Sequence, residues 1–256
     1  MNFIKALALG ATAAFVAGCG GGGDAEDRLD LRDPVVRFIH AVPAGPAITL
    51  YRGDSAQGDA ANTAYKFVSE YYDVSNARAT WSVRTAANPA VTLASADLNP
   101  SQGDRYTFVA MPNVGAAVSL KVIEDPYNKG LLTDRARVRV LHAAPVAAAV
   151  DVYLLQGHQT LAGATPVISG LSYGNASPAS GQDSLEINGG NCRLVLTTAG
   201  TKNVVFNANS VSIGNNADWL MMPIPGPTGL PGDVRVLVAQ GNDDQDGETI
   251  ELVSQP

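Results

Sequence analysis

Beyond the first twenty residues, apolar and polar positions alternate in short runs with a period of two, the spacing of a strand that buries one face. The alternation predicts strands near 35–40, 47–51, 65–69, 79–85, 91–98, 105–111 and 117–124. It predicts others near 137–142, 149–155, 166–170, 192–198, 202–207, 218–222, 234–240 and 249–254. Turn pairs separate them, among them Gly53-Asp54, Asn99-Pro100, Gly189-Gly190 and Asn215-Asn216, which favour tight reversals. After residue 20 no stretch keeps an apolar 3.6-residue period for three turns, so no amphipathic helix is expected. The 26 glycines and 15 prolines fit this picture, because both residues punctuate strands and break helices.

The strand pattern repeats. Val36-Arg-Phe-Ile-His-Ala-Val-Pro-Ala-Gly-Pro-Ala-Ile-Thr-Leu-Tyr51 returns as Val138-Arg-Val-Leu-His-Ala-Ala-Pro-Val-Ala-Ala-Ala-Val-Asp-Val-Tyr153, with 7 of 16 positions identical at an offset of 102. Chance would give about one or two identities, so the duplication is real. A period of this length is a whole domain rather than a solenoid unit. The expected fold is all-β: two tandem immunoglobulin-like antiparallel β-sandwich domains, over residues 34–130 and 131–256. The stretch Asp125 to Arg135 is expected to link them. His40 and His142 stand at equivalent strand ends, on the faces of Val36 and Phe38 or Val138 and Val140, where a histidine caps the core and bonds a neighbouring loop. Trp81 and Trp219 are expected in the core and Cys192 as a small buried apolar residue.

The start of the chain follows another rule. Lys5 introduces an apolar run over residues 6–16, broken only by Gly10 and Thr12, of signal-peptide length and too short to span a bilayer. It closes in Val16-Ala17-Gly18-Cys19, which resembles the lipobox of bacterial lipoproteins. That resemblance implies cleavage between Gly18 and Cys19, with acyl chains on the Cys19 thiol and on the freed amine. Several chains are needed because one alone holds a protein to a membrane marginally. The plainer alternative is an ordinary cleaved signal followed by a chance cysteine. Residues 1–18 are thus read as a lipoprotein signal peptide. Residues 19–33, with Gly20 to Gly23 and then Asp24-Ala-Glu-Asp27, are read as the lipidated cysteine and a flexible tether of at most about 50 Å. Gly20 stands where an aspartate would, by family rule, signal inner-membrane retention, so the resemblance implies the outer membrane.

The opening motif of both copies, V-R-hydrophobic-hydrophobic-H-A-x-P and then A-hydrophobic-x-hydrophobic-Tyr, resembles the family called domain of unknown function 4397. Its members are secreted bacterial modules, often in tandem and lipid-anchored. Tyr173-Gly174 after Val167-Ile168, and Thr198-Ala199-Gly200, resemble the family's middle section. The first copy departs with Thr49 in place of Asp151 and Asp73 in place of Gly174. The resemblance implies fold and surface location, and no activity.

Composition narrows the function. Hydrophobic residues make up 46% and charged residues 16%, which excludes a disordered chain. The net charge of −7 argues against nucleic acid. Two cysteines make neither a disulfide scaffold nor a multi-cysteine zinc site. Gly170-Leu-Ser172-Tyr-Gly174 matches the hydrolase elbow, but its neighbours are strands and all three histidines precede the serine. Asn242-Asp-Asp244-Gln-Asp246-Gly247 fits half a calcium loop without the closing glutamate, and equally a hairpin turn. Arg52-Gly-Asp54 is an adhesion tripeptide or ordinary turn chemistry. Residues 223–232 form a proline-rich insertion in which Pro223, Ile224, Pro225, Pro227, Leu230 and Pro231 make a candidate partner loop, with Ile224 and Leu230 held near solvent. The plainer reading of that loop is a stiff cover over the sandwich end. The expectation is a non-enzymatic outer-membrane lipoprotein, without cofactor, metal site, catalytic residues or transmembrane helix in its mature chain, that presents two domains to an envelope or surface protein partner. The alternative is a ligand- or carbohydrate-binding lipoprotein using the groove between domains or the 223–232 loop.

Overall fold

The computed structural model describes residues 33–127, 135–230, 232–241 and 247–256. Gly18 and Cys19, most of the tether, the boundary at 130/131, Pro231 and residues 242–246 lie outside that range. The first half contains β1 (Val35–His40), β2 (Ile48–Arg52), β3 (Ser55–Ala56), β4 (Tyr72–Asp73), β5 (Ala79–Thr85), β6 (Thr92–Leu98), β7 (Arg105–Pro112) and β8 (Val118–Asp125). The second contains β9 (Ala136–Leu141), β10 (Val150–Gln156), β11 (Ile168–Leu171), β12 (Ala176–Ser177), β13 (Leu185–Ile187), β14 (Gly190–Thr198), β15 (Val204–Ile213), β16 (Asp218–Pro225), β17 (Val234–Gln240) and β18 (Thr249–Leu252). Among the described residues no helix is long and apolar enough to cross a membrane.

The protein is an all-β stack of sandwiches. In the first half one sheet runs β4-β1-β7-β8 and the other β3-β2-β5-β6. In the second, one runs β12-β9-β16-β17-β18 with β13 also on β9, and the other β11-β10-β14-β15. The order β1-β7-β8 thus recurs as β9-β16-β17, and β2-β5-β6 as β10-β14-β15. Both halves depart from the antiparallel expectation in one place: β1 pairs parallel with β7, and β9 with β16.

The inner sheets explain why. Strands β1, β7, β9 and β16 are buried along nearly their whole length, as parallel strands covered on both faces are. One face of each feeds its own sandwich: Val36, Phe38, Tyr106 and Phe108 meet Leu50, Trp81 and Val83 from the outer sheet, and Val138, Trp219 and Met221 meet Val152, Leu194 and Phe206. Trp81 stacks on Phe108 at 4.6 Å between ring centroids. The other faces meet each other. Ile39, Val109, Met111 and Ile123 of the first half pack with Leu141, Leu220, Met222, Ile224 and Leu237 of the second. Each large side chain withdrawn from water contributes about 1.5–3 kcal/mol, so this layer outweighs the roughly 4–15 kcal/mol lost on immobilising one body against another. The halves form one four-layer unit.

Two expectations need correction. Asp125 is no linker residue: it ends β8, and its side chain lies between Arg137 and Arg139 of the second half. Residues 65–69 do not form a strand; a left-handed Lys66 (φ 75°) interrupts the extended backbone, leaving the single bridge Ile39–Val68.

Candidate functional site

At the base of the inner sheets, where β1, β7, β9 and β16 begin, polar groups replace the apolar seam. Arg37 donates from Nε to Thr107 Oγ1 at 3.0 Å and from Nη1 to the Gln240 carbonyl at 2.9 Å, across the seam. Arg139, its counterpart in the second motif, donates to the carbonyls of Pro178 and Ala179 and pairs with Asp125 at 3.4 Å. Arg137 pairs with the other Asp125 oxygen at 3.0 Å, and the Arg105 guanidinium lies 3.3 Å from the Tyr127 ring centroid. Burial alone would raise the Asp125 carboxyl, but Arg137, Arg139, the Tyr127 N–H and the Ser184 hydroxyl overrule it and hold it below the usual range. Asp218, beside Arg137 in the β9–β16 register, is pushed above that range by burial. This cluster joins the halves and is largely buried.

At the opposite pole the same strands end around a groove of about 460 Å³. The first half contributes Pro43, Ala44, Tyr65 and Pro112; the second contributes the turn from Pro225 to Gly229, with Arg235 and Glu251. Glu251 organises one wall. It accepts from Arg235 at 3.1 Å and from the Tyr65 hydroxyl at 3.2 Å, and it pairs with Lys66. Burial raises its carboxyl, yet the Lys66 and Arg235 hydrogen bonds prevail and keep it below the ordinary range. The facing turn is closed by Asp233, whose carboxylate accepts from the Thr228 N–H at 2.8 Å and from its hydroxyl. Gly226 is obligatory there, since a Cβ would lie 2.0 Å from Asp233 Oδ1.

The sequence-derived candidates divide between these places. Pro223, Ile224 and Pro225 belong to β16 rather than to a loop, and Ile224 is wholly buried in the seam, not held near solvent. The strand ends make Pro225 the counterpart of Pro112 in the first half. That shortens the loop. Pro227 lines the groove and Leu230 beside it is 63% exposed.

Other motifs are spent internally. Arg52 donates to the carbonyls of Ser75 and Ala77, which ties the cation of the Arg-Gly-Asp turn to its own chain. Ser172 leaves β11 into a turn and β12, without the helix an elbow requires. His40 bonds the Thr63 carbonyl at 3.1 Å and His142 the Ala148 carbonyl at 3.0 Å, and burial lowers both imidazoles. Cys192 is buried, which pushes its thiol up to about 11. Of the half calcium loop only Gly247 is described. Among the described residues no group of three or more His, Cys, Asp or Glu could hold a metal ion.

Sequence reasoning missed the arginines. Arg37 and Arg139 recur at the same place in both opening motifs, flanked by apolar residues, a signal of a paired, enclosed charge.

The fold and the repeated motif define an all-β chain of two related sandwiches. Residues 34–153 match the domain of unknown function DUF4397, which supports the family read from the opening motifs. The match covers the first half with β9 and the start of β10. No curated protein matches the chain.

Proposed function

We propose that this chain is a lipid-anchored, non-catalytic protein of the bacterial outer membrane, built from two copies of that module, which holds a rigid contact surface away from the lipid. The observation that carries the reading is the polarity of the body. The chain enters at the base, at Val35, and the groove opens beyond the far end of β1, about 20 Å away at 3.3 Å per residue. A body hung from Cys19 by a tether joined to that base carries its groove on the outward pole. Exposed Val114 and Leu230, at 74% and 63%, stand on the two equivalent turns beside it and suit contact with a partner. Replacing Cys19 by serine in the full-length chain tests the anchor. The variant is expected to leave the membrane fraction and to take up no labelled palmitate; membrane retention with unchanged labelling would overturn the reading.

A further inference from the structure

We propose that the groove is a binding site for a small monocarboxylate with an apolar body, an aryl or branched alkyl acid, with Arg235 as its carboxylate contact. The inference stands whether or not Cys19 carries lipid.

Size and wall chemistry select the class. A volume of about 460 Å³ falls within the roughly 300–1,000 Å³ of small-molecule sites. Pro43, Pro112, Pro225 and Pro227 line it, and proline offers no N–H. The turn's own donors are engaged: Gly226 N–H with the Asp233 carbonyl, Thr228 N–H with the Asp233 carboxylate, Gly229 N–H with the Gly226 carbonyl. An extended peptide therefore finds no ladder of backbone partners here, which strand addition needs. A sugar fares no better, because the Tyr65 and Thr228 hydroxyls already donate to Glu251 and Asp233, and unpaired polyol groups are costly to enclose.

Charge sets the remaining requirement. The Glu251 side chain lies beneath its partners at 12% exposure, whereas Arg235 and Lys66 reach 29% and 42%. Arg235, Lys66 and Glu251 together carry one net positive charge, and Arg235 is the cation among them that lines the groove. Arg235 engages Glu251 through Nη1, which leaves the rest of its planar fork for a carboxylate. Proline rings and the Tyr65 ring line the same groove and are complementary to an apolar body. Ala44 (φ 53°) and Lys66 (φ 75°) are both non-glycine residues in left-handed backbone at this groove, a strain found preferentially at binding sites.

Titration calorimetry of the purified full chain with phenylacetate, phenylacetamide, glucuronate and a short peptide tests this. Phenylacetate is expected to bind about tenfold tighter than its amide, the worth of one charge-assisted contact. Arg235→Gln should erase that preference. Glu251→Gln, which frees Arg235 and Lys66, should strengthen phenylacetate binding, a gain that damaged folding cannot imitate. The proposal fails if acid and amide bind equally, if phenylacetate shows no binding at roughly 10 mM, if glucuronate or peptide binds tighter, or if Glu251→Gln weakens the acid.

Discussion

Asp151 shows how one repeated position can take different duties. Its carboxylate accepts from the Gly170 N–H at 2.7 Å and the Gly200 N–H at 2.8 Å, pinning an irregularity in β11 and the turn after β14, whose glycines adopt positive φ. Thr49 holds the same place in the first half and accepts one bond, from the Asn62 N–H at 2.9 Å. Asp151→Ala should therefore cost about 2–3 kcal/mol and Thr49→Ala about 1 kcal/mol, read from urea unfolding midpoints. Equal losses would show that the second N–H contact adds nothing. The substitution was visible in the sequence as a departure between copies. Its meaning was not, because the glycines it ties are 19 and 49 residues away.

Strands of five or more residues were legible because alternation needs several turns of the pleat to register; β1, β5 and β17 fall at the expected residues. The two- and three-residue strands β3, β4, β12 and β13 carry no period and were missed. Inner strands hid a second fact. Period-two reasoning assigned one face to a core and left the other to solvent, so Ile39, Leu220 and Leu237 gave no hint of the partner sheet. The same blindness made Asp125 look like linker. Enclosed between Arg137 and Arg139, its carboxylate is a strong point of the seam. Asp125→Asn should cost about 3–5 kcal/mol, since two buried guanidinium groups lose their counter-charge. The pH dependence has a definite sign. Because the folded carboxyl sits below its ordinary value of 3.8, its contribution is complete above that value and disappears as acid carries the pH through the lower folded one. Wild type should lose stability in that window more steeply than Asp125→Asn; parallel acid profiles would contradict the pairing.

At the scale of the whole molecule, the groove exists only because the halves hold still. Pro112 and Tyr65 come from one half and Arg235 and Glu251 from the other, so a hinge between them would dissolve the site. The apolar seam and the ionic base oppose such a hinge together. Spin labels on Ser95→Cys and Ser210→Cys, exposed positions on the edge strands β6 and β15 of the two outer sheets, report on this directly. A pulsed dipolar measurement should return one narrow distance distribution, unchanged in dilute urea below the unfolding transition. A broad or bimodal distribution in buffer would mean two independently moving sandwiches, and neither the shared groove nor the presentation of a fixed surface would survive it.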